Sequence, residues 1–237
     1  MEREYTGYMQ NNIPTHLGLI LDGNRRWARA QGLPTLMGHK AGYDNFKVIS
    51  RHAFASGVKY VSAYVFSTEN WDRSVEEVSY LMDLIREMVK QYSSELTKEG
   101  VRFVWMGSRT EVAPDILHMI DDLEANTKQH LEKTLCMCFN YGGHREIVEA
   151  VHKAAKAGAD MDAMDEKTFA TFLYHPEVPP IDLLIRTSGE MRISGYMLWR
   201  ASYAELYFTP KHWPAFTKED LDAALAEYAS RQRRFGK

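Results

Sequence analysis

Cysteine and long apolar runs are both scarce in this 237-residue sequence, and their scarcity limits the kinds of protein it can be. The two cysteines, Cys136 and Cys138, stand too close together for an ordinary disulfide, so we expect packing residues in a reducing compartment. No stretch approaches the roughly 18 apolar residues of a membrane-spanning helix. The first residues, Met-Glu-Arg-Glu-Tyr, have neither the basic start nor the apolar run of a signal peptide. These absences predict a cytoplasmic location.

A large excess of charge of either sign is also missing. The formal net charge is −3, which excludes a surface that binds nucleic acid through general basicity. The apolar fraction of 45% is ordinary for a globular protein and argues against disorder. Residues 22–29, 186–194 and 231–237 are nevertheless basic, with +2, +1 and +4. This pattern favours a localised anionic ligand.

Strand-like and helix-like segments alternate along the chain. The predicted strands are residues 16–21, 58–66, 101–106, 134–139, 181–185 and 203–208. Between them, apolar residues recur at helical spacing, and the longest such segment begins near Val75 and ends at Gly100. Because neither a repeat nor a linker interrupts the alternation, we expect one α/β domain, with a mostly parallel sheet of about six strands flanked by helices.

In such sheets ligands bind beyond the carboxyl ends of the strands, so the residues that follow each strand are informative. The first strand is followed by Asp22, Gly23, Asn24, Arg25, Arg26 and Trp27. On its own, Asp22 fits a turn or a helix N-cap. Gly23, however, lets the backbone approach a ligand, and the two arginines add fixed charge that suits a phosphate. A carboxylate beside that anion is consistent with a bridging divalent metal.

Two further polar segments follow predicted strands. After the second strand come Ser67, Thr68, Glu69, Asn70, Trp71 and Arg73, and after the fifth come Arg186, Arg192, Ile193 and Ser194. The segment after the second strand could simply cap the next helix. The segment after the fifth strand has the chemistry of a second anion site, although its arginines could instead form weak surface salt bridges. Glu205, in the last strand, is either solvent-facing or a metal ligand.

These segments, in this order and at these separations, resemble the cis-prenyltransferase family, whose best-known members are the undecaprenyl diphosphate synthases. The likeness also includes motifs at residues 38–42, 140–143 and 203–208, and it covers residues 13–236. It implies an undecaprenyl diphosphate synthase-like fold with an apolar tunnel. Residues 1–12 would be an N-terminal extension and residues 13–237 the catalytic domain. Residues 75–96 and 134–139 are candidate wall material for the tunnel.

The resemblance implies that isopentenyl diphosphate is condensed with an allylic diphosphate such as farnesyl diphosphate. The expected product is a long polyprenyl diphosphate, the precursor of a lipid carrier for cell-wall glycan synthesis. A short- or medium-chain product remains an alternative, because tunnel depth cannot be derived from the sequence. A phosphohydrolase of the haloacid-dehalogenase kind is an alternative of another class. It needs a second Asp two residues from Asp22, where Ile20 and Asn24 stand instead.

The resemblance also implies a role for each site residue. Asp22 would hold Mg²⁺ against the departing diphosphate, and Glu205 would be a second carboxylate on the metal side. The pocket for that diphosphate would be lined by Gly23, Asn24, Arg25, Arg26, Trp27 and His39. Isopentenyl diphosphate would be held by Arg186, Arg192, Ile193 and Ser194. Further substrate contacts are expected from Ser67, Thr68, Glu69, Trp71 and Arg73.

Three expectations concern proton removal, assembly and location. Asn70, helped by Ser67 or His39, is the family's candidate for proton removal, although a diphosphate oxygen is a second candidate for the acceptor. Arg234 and Gly236 would reach across a homodimer interface to the same diphosphate. Release of a lipid product would bring transient contact with a membrane.

The sequence departs from the common bacterial pattern at a few positions. Thr35 stands where an arginine is frequent, and Met191 where a histidine near the metal is frequent. Gly195 and Arg200 replace a frequent asparagine and a frequent glutamine. These departures affect the expected details of the metal site and the interface, while the expected class of reaction stays the same.

Overall fold

The computed structural model describes residues 12–231. The strands are β1 (His16–Ile20), β2 (Tyr60–Ser67), β3 (Val101–Met106), β4 (Lys133–Tyr141), β5 (Leu183–Arg186) and β6 (Glu205–Phe208). The helices are α1 (Asn24–Ala30), α2 (Thr35–Ala55), α3 (Val75–Glu99), α4 (Pro114–Thr127), α5 (Gly143–Lys156), α6 (Glu166–Ala170) and α7 (Lys218–Ser230). Single turns of 3-10 helix lie at Thr68–Asp72 and Trp213–Ala215. Among these helices, none combines the length and apolarity that crossing a bilayer requires.

The strands form one six-stranded sheet in the order β3-β4-β2-β1-β5-β6, which confirms the predicted α/β class. The β1–β5, β3–β4 and β5–β6 pairings are parallel. The last strand begins later than predicted, because Tyr203 is 75% exposed in a turn and pairing with Leu183 starts only at Glu205. Among the helices, α6 is short and spans only Glu166–Ala170.

The chain divides into two compact units. The described part of the first unit comprises residues 12–61, 181–191 and 204–231. Within it, Ile20 at the end of β1 is paired with Arg186 at the end of β5. The residues that follow β1 therefore emerge at the same edge as Arg186. This register positions the carboxylate of Asp22, which follows β1.

The second unit comprises residues 62–180 and 192–203. One face of α3 is buried as the periodicity predicted, but Val75 is 81% exposed, so the buried stripe starts a turn or two later. Cys136 and Cys138 on β4 are free and fully buried, which confirms their role as packing residues. Burial raises the pKa of the Cys136 thiol to about 12, so it stays protonated. The apolar tunnel remains a prediction.

Candidate active site

Asp22 lies directly after β1, and both oxygens of its carboxylate accept hydrogen bonds from arginines. Nη2 of Arg26 donates to Oδ1 at 3.1 Å, and Nη2 of Arg186 donates to Oδ2 at 2.9 Å. Burial by itself raises the pKa of the Asp22 carboxyl. The hydrogen bond and charge of Arg186, together with those of Arg26, outweigh burial and lower the pKa below its ordinary 3.8. Asp22 is therefore ionised at neutral pH.

Arg26 also connects this carboxylate to the segment after β5. Its Nη1 donates to the carbonyl of Ser188 and to the carboxylate of Glu190, each at 3.2 Å. The side chain of Arg26 is 44% exposed, whereas that of Arg186 is 5% exposed. We call these four charged residues, Asp22, Arg26, Arg186 and Glu190, the Asp22 cluster. Its two carboxylates balance its two arginines, so a bound diphosphate would need further positive charge, which a divalent cation would supply.

Ser188 and His212 form a pair beside Gly23 that the sequence analysis missed. Ser188 Oγ and His212 Nδ1 are 2.7 Å apart. A Cβ added to Gly23 would lie 2.6 Å from Ser188 Oγ and 2.8 Å from His212 Nδ1, and the φ of Gly23 is +101°, so only glycine fits. The N–H of Trp213 donates to the carbonyl of Asp22 at 3.0 Å. The only sequence signal for the contact between His212 and Ser188 was a histidine shortly after the last strand.

Asn24 lies at the contact between α1 and α2. Its Nδ2 donates to the carbonyl of Leu21 at 3.3 Å, while its Oδ1 is buried with no hydrogen-bond partner among the described residues. A Cβ added to Gly42 would lie 2.3 Å from that Oδ1, and one added to Gly38 would lie 2.1 Å from the Asn24 carbonyl. The glycines of the 38–42 motif therefore let α1 approach α2 closely.

The other residues predicted for this diphosphate pocket also belong to the first unit. Arg25 is exposed on α1, Trp27 is half-buried on the same helix, and His39 is half-buried on α2. Their roles in substrate binding stay predictions.

Ser67 and Asn70, in the second unit, form a capping box around the turn Thr68–Asp72. The Ser67 hydroxyl accepts from the N–H of Asn70, and Oδ1 of Asn70 accepts from the N–H of Ser67 at 3.2 Å. The amide oxygen of Asn70 thus accepts one hydrogen bond and keeps a second lone pair. Both this oxygen and the Nδ2 donors of Asn70 can meet a substrate, and the role of Asn70 in proton removal stays a prediction.

The neighbours of this capping box mostly contact the protein itself. Nε1 of Trp71 donates to Oδ1 of Asn140 at 2.8 Å, and Arg73 donates to Glu77 at 2.9 Å. Thr68 faces Gly142, where an added Cβ would lie 2.8 Å from the Thr68 hydroxyl. Glu69 is exposed. These contacts hold Trp71 and Arg73 against the protein itself, whereas the next helix is capped by Ser74. Substrate contact stays a prediction.

Arg192, Ile193 and Ser194 lie in the second unit, at the start of a run of turns that ends at residue 203. Arg192 and Ser194 are exposed, and Ser194 has a φ of +48°. The carbonyl of Ser194 accepts from the Tyr64 hydroxyl at 3.4 Å. Arg186 belongs instead to the first unit, where it binds Asp22. The joint action of these residues on one diphosphate remains a prediction.

Glu205 lies at the amino end of β6, far from Asp22 within the same unit. Its partner in the register is Leu183, whereas Arg186 is paired with Phe208, three residues further along the strand. At about 3.3 Å per residue, Glu205 and the Asp22 side of the sheet are about 10 Å apart. Its Oε2 accepts from Arg231 at 2.9 Å. The register thus places Glu205 away from the edge that carries Asp22, and its role as a metal ligand stays a prediction.

Two further points concern the metal and the tail. Within residues 12–231, no cluster of three or more His, Cys, Asp or Glu side chains could hold a metal ion by itself. Arg234 and Gly236 lie outside the described residues, so their predicted contacts stay predictions.

The family is decided by comparison with known proteins. The sequence model of the undecaprenyl diphosphate synthase family matches residues 20–236, nearly the whole chain. The chain belongs to this cis-prenyltransferase family. It is a prenyltransferase, as the resemblance of its motifs indicated.

Individual members of the family are similar over almost their full length. An isoprenyl transferase of Thermotoga maritima is 43% identical over 227 residues, which cover 94% of this chain and 97% of the relative. A decaprenyl diphosphate synthase of Mycobacterium tuberculosis is also 43% identical, over 95% of this chain and 78% of the relative. Family membership therefore rests on the whole catalytic fold and not on one motif.

Solved structures of the cis-prenyltransferase fold are also similar to this chain. The lavandulyl diphosphate synthase of Lavandula x intermedia, in complex with dimethylallyl diphosphate, has a TM-score of 0.90 at 33% identity and covers 95% of this chain and 99% of its own. A probable undecaprenyl diphosphate synthase of Campylobacter jejuni has a TM-score of 0.81 at 25% identity, covering 95% and 100%. The predicted undecaprenyl diphosphate synthase-like fold is confirmed.

Proposed function

We propose that this prenyltransferase condenses isopentenyl diphosphate with an allylic diphosphate such as farnesyl diphosphate, and that each added unit has a cis double bond. One observation carries the assignment of the site: a single ionised carboxylate, Asp22, is shared between Arg26 and Arg186 at the edge of the sheet where β1 ends. Family membership supports the class of reaction.

The Asp22 cluster suits the chemistry of the first step. Breaking the allylic carbon–oxygen bond leaves negative charge on the diphosphate, and the arginines can stabilise that charge as it develops. The guanidinium of Arg186 is buried, where charge interactions are weakened less by water. Arg26, which is more exposed, can exchange its contact with Glu190 for a diphosphate oxygen.

The donor set fits Mg²⁺. Each Asp22 oxygen accepts one arginine hydrogen bond and keeps a lone pair for a metal. Mg²⁺ in proteins commonly uses one or two carboxylates together with substrate phosphates. When bound, the ion would supply Lewis-acid stabilisation of the leaving diphosphate. Within one chain we propose Asp22 as its protein ligand. Glu205 could take part only from the second copy of the proposed homodimer.

We assign the second diphosphate to Arg192 and Ser194, which follow the motif of the family and are exposed. A diphosphate oxygen is the better candidate for the proton acceptor, because the amide of Asn70 is a poor base. In this proposal the Nδ2 donors of Asn70 orient the diphosphate that takes the proton.

A long polyprenyl diphosphate, the precursor of a lipid carrier for cell-wall glycan synthesis, is the proposed product. The similarity to a decaprenyl diphosphate synthase supports a long chain. The fold alone does not determine the product, because a lavandulyl diphosphate synthase shares it, so a short- or medium-chain product is the second candidate. A cytoplasmic enzyme that contacts the membrane briefly, when it releases the lipid, is part of the same proposal.

The proposal is tested by incubating purified protein with labelled isopentenyl diphosphate, Mg²⁺ and primers of different length. Products are then resolved by chain length and by double-bond geometry. The proposal expects a series of cis-polyprenyl diphosphates that requires both Mg²⁺ and a primer. Release of inorganic phosphate without incorporation of label would favour the phosphohydrolase alternative and contradict the proposal.

A further inference from the structure

Residues 192–203, called the 192–203 loop, carry Arg192 and Ser194 in a backbone conformation that other contacts must hold. Ser194 and Met197 have φ angles of +48° and +42°, and Gly195 lies between them at +74°. Left-handed conformations of residues other than glycine cost on the order of 1 kcal/mol or more and persist only where the surroundings fix them. The contacts that fix this loop therefore matter for the side chains it carries.

The first attachment of the loop is to the start of α5. The N–H of Gly143 donates to the carbonyl of Gly195 at 2.9 Å. A Cβ added to Gly143 would lie 2.4 Å from that carbonyl oxygen and 2.6 Å from Cγ of Leu198. The loop thus packs directly on the backbone of α5, and only glycine permits this approach.

The second attachment is to Glu146, in the first turn of the same helix. Oε1 of Glu146 accepts from Nη1 of Arg200 at 2.8 Å and from the N–H of Tyr174 at 3.1 Å. Its Oε2 accepts from the hydroxyl of Tyr141, whose pKa is raised by burial and by the nearby Glu146 charge, so that hydroxyl remains a donor. Both oxygens of the Glu146 carboxylate therefore accept hydrogen bonds from other protein groups.

Arg200 distributes its donors over the backbone as well. Nε donates to the carbonyl of Val178 at 3.2 Å, and Nη2 donates to the carbonyls of Tyr174 and His175. The side chains of Arg200 and Glu146 are only 4% and 1% exposed. A planar guanidinium with several donors can satisfy this set of carbonyl and carboxylate acceptors at once, which a neutral amide cannot.

We propose that Arg200 is a positioning residue for substrate binding: together with Gly143 and Glu146 it holds the 192–203 loop in the conformation that presents Arg192 and Ser194 to a diphosphate. This rests on the proposed function of that loop. The connection runs through local hydrogen bonds, since the N–H of Ala201 donates to the carbonyl of Met197 at 2.8 Å. Affinity for isopentenyl diphosphate is thus set partly by a buried ion pair that touches no substrate.

The test compares Arg200→Gln with Ile120→Ala, a core variant on α4 in the same unit whose side chain is fully buried. Both lose stability, but only Arg200→Gln loosens the loop. Arg200→Gln is expected to raise the KM for isopentenyl diphosphate about tenfold, equivalent to one lost charged hydrogen bond. The KM for the allylic diphosphate and kcat are expected to change less than about threefold. Ile120→Ala is expected to leave all three constants near the wild-type values.

A second variant covers the case in which Arg200→Gln does not fold. Gly143→Ala breaks the first attachment and leaves the ion pair intact, and it is expected to give the same selective rise in KM. Unchanged KM for isopentenyl diphosphate in the folded variants, or an equal rise in Ile120→Ala, would overturn the positioning role. A wild-type enzyme that incorporates no isopentenyl diphosphate would instead refute the proposed function, so the two failures are distinct.

Discussion

Two clusters of arginine and carboxylate in this prenyltransferase use the same chemical groups in opposite ways. In the Asp22 cluster, the side chains of Asp22 and Arg26 are 28% and 44% exposed. In the second cluster, Glu146 and Arg200 are 1% and 4% exposed, and the rest of their donors and acceptors contact other protein groups. The first cluster is open to a ligand at Asp22, Arg26 and Glu190, although its Arg186 is buried, and the second cluster is closed.

The difference shows that burial and the number of internal partners, and not residue type, decide what a charge pair can do. An exposed pair stabilises the fold by only about 0–1 kcal/mol, so its groups can exchange partners when a ligand arrives. A buried pair leaves a strongly unfavourable charge when either partner is removed. We therefore expect substitutions in the open cluster to affect activity most and substitutions in the closed cluster to affect stability most.

The largest expected effect is the loss of condensation in Asp22→Ala. This change removes the proposed metal ligand and the shared partner of Arg26 and Arg186, and we expect kcat to fall about 10⁴-fold, or ~5 kcal/mol. The measurement is incorporation of labelled isopentenyl diphosphate at saturating substrate and Mg²⁺, with circular dichroism as the control for folding. Near-normal turnover in a folded Asp22→Ala protein would contradict the assigned role.

The closed cluster is tested by Glu146→Gln. The glutamine keeps the shape but leaves the Arg200 charge without its carboxylate, so the free energy of unfolding should fall by about 3 kcal/mol. Glu190→Gln, which breaks an exposed pair with Arg26, is the matched control and should cost less than about 1 kcal/mol. Urea unfolding of the three proteins measures both values. Equal losses would remove the distinction between the two clusters.

A smaller effect is expected from Arg192→Ala, which removes a side chain from the loop that the closed cluster supports. The KM for isopentenyl diphosphate should rise roughly 10- to 100-fold, because a hydrogen bond to a charged group contributes about 1.5–3 kcal/mol. The KM for the allylic primer should stay near the wild-type value. Steady-state kinetics with each substrate varied in turn measures both KM values. If the KM values for isopentenyl diphosphate and for the allylic primer rose together, Arg192 would not belong to a separate site for isopentenyl diphosphate.

The smallest effect concerns His175, whose imidazole lies 3.4 Å from Glu124 and 3.3 Å from Glu177. Burial acts to lower the pKa of His175, but hydrogen bonds and the charges of Glu124 and Glu177 raise it above 6.5. Because the folded pKa is the higher one, this stabilisation is complete below pH 6.5 and is lost as the pH rises through the folded pKa.

His175→Asn should therefore lose more stability at pH 6 than at pH 9, by on the order of 1 kcal/mol or less. Denaturant unfolding of both proteins at the two pH values measures the difference. A loss that is independent of pH would show that the imidazole charge contributes nothing.

The sequence was sufficient to predict which strand ends carry the charged groups. Asp22 after β1 and Arg186 at the end of β5 were both predicted as site residues because ligands bind beyond the carboxyl ends of parallel strands. They were assigned to different diphosphates, and the structure shows that they are in contact at 2.9 Å. Helical periodicity likewise predicted the buried face of α3. These inferences depend only on local pattern and on the rules of sheet topology.

The remaining features depend on register and on side-chain geometry, which no local pattern encodes. Glu205 is paired with Leu183 and thus lies at the amino end of β6, away from the edge that carries Asp22. The hydrogen bond from the N–H of Ser67 to the amide oxygen of Asn70 could not be derived from the sequence either. His212 reaches Ser188 across a turn whose path could not be derived from composition.

The most direct test of the account is the binding of an unreactive allylic diphosphate analogue, farnesyl thiodiphosphate, measured by calorimetry with Mg²⁺ or with EDTA. We expect that Mg²⁺ tightens binding to the wild-type protein, that Asp22→Asn abolishes this gain, and that Arg26→Gln weakens binding under both conditions. Binding that is equally tight in all three proteins and indifferent to Mg²⁺ would contradict the claim that the Asp22 cluster holds the diphosphate.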